Sequence, residues 1–320
     1  MKLMMKAALI AIPVALATSA SAETFVRMAS GPSGGSWYPI GAKIMDVMQK
    51  NVPGISARNG PGGGVGNVRT VNKGNAEMGW TFGFTAYDGW VGRDAFKKDK
   101  EQKNIRFFAT LFPGVLQTVV PAKSKLRSYG DLAKSNISPG KRVFSGNVTT
   151  RRLLPLYGIN YDSIKKNGGT IHRVGYTDSV ALMKDGHIDA FVGLTSEPNS
   201  SFIALDFSPG VRFIPVEDNI ADKFIKQNPG FRKATIPAGA YKNLKTDVQT
   251  LATATVLITN KNVSDELVYK LTAAFWNQHS EILKAHSAWK HVQIKSALAA
   301  ATVPIHPGAK KFYDQKGVMK

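Results

Sequence analysis

Cysteine is absent from the sequence of 320 residues. Its absence excludes disulfide bridges, a cysteine nucleophile and thiolate ligands for a metal ion. A chain of this length does not depend on disulfides, because two domains of ordinary size can each bury a core of their own. The composition therefore predicts two domains that are stabilised by apolar packing.

The sequence also lacks an apolar run of the ~20 residues that span a bilayer. The short run from Ala7 to Ala17 follows Lys2 and Lys6 and precedes Ala20-Ser21-Ala22, a small-x-small pattern typical of a signal-peptidase site. We therefore expect residues 1–22 to be a signal peptide that is cleaved after Ala22. The remaining chain is then an exported, periplasmic protein.

Acidic residues are scarce, since 22 Asp and Glu stand against 42 Lys and Arg and the formal net charge is +20. Loss of Lys2 and Lys6 with the signal peptide lowers this charge by two, to +18. The basic residues are spread along the chain, apart from a mixed cluster at 93–103 that we interpret as a solvated loop or helix face. We expect an exported basic protein to attract small anionic solutes and not nucleic acid.

Patterns of catalytic and metal sites are missing as well. The glycine-rich segments contain neither GxxxxGK[ST] nor a GxGxxG in place, which argues against nucleotide binding. The sequence has no HExxH and no GxSxG, and His286 and His291 are five residues apart, off one helical face. We therefore expect no enzymatic activity, no cofactor and no metal ion.

Three glycine-containing loops precede segments with helical patterns. GPSGGSWYPIG (31–41) follows a predicted strand at Thr24–Ala29, PGGGVGN covers 61–67, and SGNVTTRR covers 145–152. Amides at a helix start can bind an anion, and an arginine can hold a carboxylate through two parallel hydrogen bonds. The loops suggest that the protein holds an anion, and we favour Arg151 over Arg152 as the anchor because it is nearer the helix start.

The other segments alternate between strand-like and helical patterns, which predicts an α/β protein. The spacing of Ile44, Val47 and Met48 predicts one buried face of a helix that starts at Ile40.

In the middle of the chain, the pattern predicts a strand at 140–144, a loop at 145–147 and a helix start at Thr149. Thr177 is expected to cap the next helix, and Ser264 to cap a long helix near the end of the chain.

Two extended segments are interpreted as crossings between domains. Residues 106–123 are apolar with a Pro-Gly break at 113–114, and residues 241–261 are a loop followed by a Thr/Val/Ile strand. If the chain crosses twice, residues 23–115 and 245–320 form one α/β lobe and residues 116–244 form the other. Such a pair of lobes would be joined by a two-strand hinge, with a ligand cleft between them.

Six stretches in this order resemble the TAXI family, the TRAP-associated extracytoplasmic solute receptors. They are SGPSGGSWYPIGAKI, GGGVGNVRTVNKGNAEMGW, GYTDSVALMKDGHIDAFVG, RFIPVED, TIPAGAYKN and VPIHPGAKKFYDQKG, and they span nearly the whole chain after residue 22. The resemblance implies a type II periplasmic binding protein fold, a small carboxylate as solute and delivery to an ion-gradient-driven TRAP permease with fused membrane subunits. Glutamate-like amino acids, 2-oxo acids and dicarboxylates are the solutes that it implies.

The resemblance also implies solute-binding positions on both lobes. They are Gly35, Ser36, Trp37, Tyr38, Asn67 and Phe82 on the first lobe, and Ser145, Asn147, Thr149, Thr150 and Arg151 on the second, with Thr195 and Glu197 nearby. WTFGFTAYDG (80–89) and the loop at 145–149 depart from the family pattern, so the identity of the solute is not carried over.

Two alternatives remain open at this point. A sensor partner would present the solute to a signalling receptor instead of a permease, and an enzyme could be built on the same two-lobed scaffold. In each case we expect a monomer.

Overall fold

The computed structural model describes residues 23–319, so the expected signal peptide at residues 1–22 lies outside the described residues. Within this range, no helix is both long and apolar enough to cross a membrane.

Strands and helices alternate along the described chain. The strands are β1 (Thr24–Ala29), β2 (Ile55–Gly60), β3 (Met78–Phe82), β4 (Ile105–Pro121), β5 (Ile137–Ser138), β6 (Ala190–Thr195), β7 (Val211–Phe213), β8 (Phe231–Ile236) and β9 (Val248–Asn260). The helices are α1 (Trp37–Asn51), α2 (Gly64–Asn72), α3 (Gly83–Trp90), α4 (Ser145–Leu153), α5 (Tyr161–Lys166), α6 (Tyr176–Lys184), α7 (Ser200–Phe207), α8 (Asp218–Gln227), α9 (Asp265–Asn277), α10 (His279–Leu283) and α11 (Pro307–Gln315). Short 3₁₀ turns lie at 94–96, 130–134, 154–157, 287–291 and 294–296.

The strands form one sheet in the order β2-β1-β3-β9-β4-β6-β5, with β7 paired to β4 and β8 to β9. The two longest strands, β4 and β9, are antiparallel to each other and hold the sheet together. One end of β4 pairs with β9, and the other end pairs with β6 from Val115 to Val119. The register shifts before Pro113, where a proline that cannot donate to the ladder is tolerated.

These two strands divide the protein into two lobes. We call β1–β3, α1–α3 and α9–α11 the first lobe, and β5–β8 with α4–α8 the second lobe. The mixed α/β fold with two crossing strands confirms the predicted fold class. The predicted boundary at 115/116 falls inside β4 and the one at 244/245 falls just before β9; both stay predictions.

Several local predictions are confirmed. The first strand covers Thr24–Ala29, and α1 buries Ile44, Val47 and Met48 on one face. Ser264 caps α9, where its hydroxyl oxygen accepts a hydrogen bond from the Leu267 amide at 3.3 Å.

Other local predictions are wrong by a few residues. Residues 140–144 are not a strand, because Gly140 has φ of +83° and the Phe144 amide donates to the Lys141 carbonyl in a tight turn. The strand there is Ile137–Ser138, immediately upstream. Helix starts also lie before their predicted positions, since α1 begins at Trp37, α4 at Ser145 and α6 at Tyr176. Thr177 therefore lies inside α6 and does not cap it.

Gly114 of β4 has no room for a side chain, because the ring of Phe82 packs directly on its Cα. A Cβ at this position would lie 2.8 Å from the Cζ atom of Phe82, a ring that is 1% exposed. Gly114→Ala should lower the free energy of unfolding by about 1–3 kcal/mol, since overpacking forces a buried ring to move. Urea denaturation measures this change.

Gly60→Ala is the matched control, because a Cβ there has no neighbour nearer than 3.8 Å. Its effect should stay within about 0.5 kcal/mol. Equal losses in both variants would contradict the packing explanation.

Candidate functional site

A small cavity of about 20 Å³ lies between the two lobes. Four helices begin at it, α1 and α2 from the first lobe and α4 and α6 from the second. The residues that line it are Pro32, Gly35, Ser36, Trp37, Gly63, Gly64, Phe82, Phe144, Ser145, Gly146, Tyr176, Leu194 and Thr195.

In the four helices that begin at this cavity, the side chain of the N-cap residue accepts no hydrogen bond from the first-turn amides. The amide of the N-cap residue of α6, Gly175, donates to the Asp178 carboxylate at 3.2 Å, and that of α2, Gly63, donates to Asn67 Oδ1 at 3.0 Å. Amides in the first turn lack a partner inside their own helix, and the helix dipole makes this end positive. A group of converging helix starts is therefore suited to hold a negative charge.

The indole N–H of Trp37 is a further donor at this site. Trp37 lines the cavity and is 6% exposed, yet its Nε1 atom has no hydrogen-bond partner among the described residues. A buried donor without a partner costs free energy, so this group favours an acceptor in the cavity. No Lys, Arg, Asp or Glu of the described chain lines the cavity.

Hydroxyl groups of the two lobes meet beside the cavity. The Ser36 hydroxyl contacts those of Thr195, at 3.4 Å, and Ser196. The Asn199 amide donates to Ser36 Oγ at 3.2 Å, and the Thr85 hydroxyl donates to Ser145 Oγ at 2.9 Å. The lobes are therefore closed upon each other at the cavity.

This close approach requires glycine at the start of α2. A Cβ at Gly63 would lie 2.9 Å from the Phe144 ring atom Cε1, and one at Gly64 would collide with Ser145 Oγ. The carbonyl of Val143 also accepts hydrogen bonds from the amides of Val65 and Gly66, at 3.1 and 3.2 Å.

Aromatic rings form the walls. Trp37 packs 5.6 Å from Trp80 and 4.8 Å from Phe82, measured between ring centroids. Across the cavity, Phe144 and Tyr176 meet edge to face at 5.8 Å. Burial raises the pKa of Tyr176, so its phenol stays protonated at neutral pH. Apolar walls lower the local dielectric and strengthen each hydrogen bond that the cavity makes.

A larger mouth adjoins the cavity and shares Pro32 and Phe144 with it. Its volume is about 560 Å³, and it carries one side chain of each charge, Lys141 and Asp178.

The structure brings together six of the positions that the resemblance implies. Gly35, Ser36, Trp37, Phe82, Ser145 and Thr195 all line the cavity. Their role in binding stays a proposal.

The other implied positions lie elsewhere. Asn67 is buried under the site, where its amide donates to the Ser30 and Trp80 carbonyls and its Oδ1 accepts from Gly63. The hydroxyls of Thr149 and Thr150 donate to carbonyls one turn earlier in α4.

Three further implied positions also lie outside the lining. Tyr38 is 39% exposed, and Asn147 turns its amide to the Gly140 carbonyl. Glu197 is half-buried, which raises its pKa, while the charges of His291 and Lys290 in the first lobe oppose the shift.

Arg151 is not at the cavity, so the interpretation of it as the carboxylate anchor does not fit this geometry. It forms an ion pair with Asp94 of the first lobe. Arg152 also pairs with Asp94, at 2.6 Å, and with Asp88, whose side chain is 3% exposed. The two arginines belong to an interlobe ion cluster, which we define as Asp88, Asp94, Arg151 and Arg152.

The sequence patterns did not predict seven of the lining residues, which are Pro32, Gly63, Gly64, Phe144, Gly146, Tyr176 and Leu194. The glycine-containing loops include four of them, Pro32, Gly63, Gly64 and Gly146, but the wrongly predicted strand at 140–144 included Phe144. The predicted cap at Thr177 places Tyr176 before the helix, whereas Tyr176 is the first residue of α6 and lines the cavity.

The chain is similar to a known protein family and to several solved structures. The family model described as the NMT1-like family matches residues 28–317. The chain is similar to the alkanesulfonate-binding protein SsuA from Xanthomonas axonopodis pv. citri bound to MOPS, with 12% identity, a TM-score of 0.50 and coverage of 94% of this chain and 96% of that one. It is also similar to the arginine-, lysine-, histidine-binding protein ArtJ from Geobacillus stearothermophilus, with 12% identity, a TM-score of 0.49 and coverage of 84% and 94%.

The likeness to the Xanthomonas protein shows a shared fold, that of the type II periplasmic binding proteins. The matching family model is described as NMT1-like and not as TRAP-associated, so the TAXI resemblance stays a prediction.

The ion cluster should stabilise the closed protein. Arg152→Met keeps much of the side-chain length but leaves Asp88 and Asp94 each with one arginine fewer. Removing one partner of a buried pair costs ~3–5 kcal/mol, and we expect the low end, about 3 kcal/mol, because Asp88 keeps Arg93 and Asp94 keeps Arg151. Urea denaturation measures the loss.

Arg232→Met, on the exposed side of β8, is the control and should change stability by less than about 0.5 kcal/mol. If Arg152→Met were as stable as the control, the cluster would not hold the lobes together.

Asp94 should give the stability a pH dependence. Burial alone would raise its pKa, but the hydrogen bond from Arg151 and the charges of Arg152 and Arg151 outweigh it and hold the pKa below the ordinary value of 3.8. Because the folded pKa is the lower one, this stabilisation is fully present above the unfolded pKa and is lost as pH falls through the folded pKa. Asp94→Asn should therefore flatten the acid limb of a plot of unfolding free energy against pH.

Asn tolerates the φ of +53° at this position. Asp185→Asn, at an exposed carboxyl, should keep the acid limb of the parent protein. Equal flattening in both variants would exclude a specific role for Asp94.

Proposed function

The chain belongs to the NMT1-like family, and from this premise we propose that it is a periplasmic solute-binding protein that captures a small carboxylate between its lobes. The observation that carries the proposal is the convergence of four helix starts, from both lobes, on one cavity. The cavity presents donors to a negative group and holds no charged side chain of the described chain that would repel it.

A carboxylate in this cavity accepts hydrogen bonds from first-turn amides, from the Ser145 hydroxyl and from the Trp37 indole N–H. A hydrogen bond to a charged group contributes ~1.5–3 kcal/mol, and a sheltered helix dipole contributes up to ~2 kcal/mol. Three such bonds are on the order of the ~8 kcal/mol of a micromolar complex. Arginine is not required for this affinity.

The dimensions of the site favour a solute with a small anionic head and a polar body. The inner cavity of about 20 Å³ has room for little more than a water molecule. The head occupies it as the lobes adjust, and the body extends into the mouth between Lys141 and Asp178. A dicarboxylate or 2-oxo acid would use Lys141, and a glutamate-like amino acid would use both charges.

Capture is a shift between open and closed states, since a solute that touches both lobes favours the closed one. The protein then delivers the solute, as a monomer, to a TRAP-type permease in the membrane. The resemblance of the six sequence stretches to TRAP-associated receptors supports this partner.

A ligand panel tests the proposal. Thermal unfolding of the purified protein is measured with amino acids, 2-oxo acids, dicarboxylates, neutral sugars and alkanesulfonates; the last are included because the Xanthomonas protein of the same fold is an alkanesulfonate-binding protein. A ligand present at a hundredfold its Kd raises the free energy of unfolding by ~2.7 kcal/mol. Stabilisation by neutral compounds alone would contradict an anion site.

The variant Ser145→Ala tests whether the ligand binds in the cavity. This change removes a hydroxyl at the start of α4 and should raise the Kd of the best ligand at least tenfold, or ~1.4 kcal/mol. Isothermal titration calorimetry measures the Kd. Ser287→Ala, at an exposed serine in the 3₁₀ turn 287–291, is the control and should leave it unchanged. An unchanged Kd in Ser145→Ala would move the site away from the cavity.

A further inference from the structure

A second concavity between the lobes is lined by four arginines. It has a volume of about 350 Å³, and Arg69, Arg142, Arg151 and Arg173 face it together with Tyr161 and Asn147. We call it the arginine groove. It shares no lining residue with the cavity described above.

The groove draws its arginines from both lobes. Arg69 lies on α2 of the first lobe, whereas the other three belong to the second. Val143 separates the groove from the mouth, because it lines both and its carbonyl accepts the amides of Val65 and Gly66.

Two of the arginines have carboxylate partners. Arg69 pairs with Asp99 at 2.7 Å, and Arg151 pairs with Asp94, which Arg152 also shares. Arg142 and Arg173 have no carboxylate within ion-pair distance among residues 23–319. Asp162 pairs with Lys165 at 2.7 Å. Lys165 lowers the pKa of Asp162, and Arg173 lowers it more weakly. The groove therefore carries two guanidiniums, those of Arg142 and Arg173, that form no ion pair with a described carboxylate.

The groove also holds one guanidinium in a defined position. Arg173 lies over the ring of Tyr161, 5.4 Å from its centroid, and the Tyr161 hydroxyl donates to the Asn147 carbonyl at 3.1 Å. Tyr161 is 7% exposed, so the ring is a fixed platform. A planar guanidinium held in this way presents its N–H groups in the fork that matches an oxyanion.

We propose that the arginine groove is a second anion site, which takes a multivalent oxyanion of the phosphate or sulfate type. Two uncompensated guanidiniums match a double negative charge, and a tetrahedral oxyanion accepts from several N–H groups at once. Because the groove spans both lobes, the bound oxyanion stabilises their closed arrangement and is coupled to solute binding by mutual linkage. The oxyanion site does not depend on the identity of the solute in the cavity.

Calorimetric titration with inorganic phosphate tests this site at constant ionic strength. The double variant Arg142→Gln/Arg173→Gln removes the two guanidiniums without carboxylate partners and should raise the Kd for phosphate at least tenfold. Arg58→Gln/Arg232→Gln removes the same charge from exposed positions on β2 and β8 and should change the Kd less than twofold. Equal losses in the two double variants would show diffuse attraction to a basic protein and overturn the proposal.

Further arms separate the possible sources of binding. Sulfate should compete with phosphate, and chloride at the same ionic strength should not. Equal competition by chloride would overturn the multivalent site.

Ser145→Ala should retain phosphate binding, since Ser145 lies in the other cavity. Loss of phosphate binding in Ser145→Ala, with retention in Arg142→Gln/Arg173→Gln, would place phosphate in the solute cavity and reject the groove.

Discussion

The close approach of the α4 start to the α2 start is the contact on which the rest of the site depends. Phe144 and Ser145 of the second lobe lie against Gly63 and Gly64, where no side chain would fit. This approach encloses the cavity, brings hydroxyls of both lobes within reach of each other and places four helix starts around a space with apolar walls. It is possible only because β4 and β9 carry both lobes on one sheet.

The charged side chains between the lobes lie apart from the cavity. Amides, hydroxyls and one indole N–H are the donors that we propose for the cavity, whereas the arginines near it lie in the interlobe ion cluster or line the arginine groove. Neutral donors hold an anion without the desolvation cost of a buried cation. The arginines act on the lobes instead, by pairing with Asp88 and Asp94 across the interface.

Local patterns predicted most of the elements but not their limits. The strand Thr24–Ala29, the buried face of α1 and the cap at Ser264 follow from spacing within one element, which packing did not change. The prediction of a strand at 140–144 was wrong because the backbone turns at Gly140, whose positive φ permits the turn, although the residues after it favour a strand. Six of the predicted positions line the cavity, but the pattern left out others, since a glycine marks where the backbone approaches another group and not which group it approaches.

The sequence by itself determined the alternation of strands and helices, the two crossing segments and the glycine loops before helices, because each depends on neighbours in the chain. Only the tertiary structure decided which helix starts meet and what each arginine pairs with. Arg151 contacts Asp94, which lies 57 positions away in the chain, and no local pattern records such a partner. The convergence at the cavity likewise depends on how β4 and β9 set the lobes face to face.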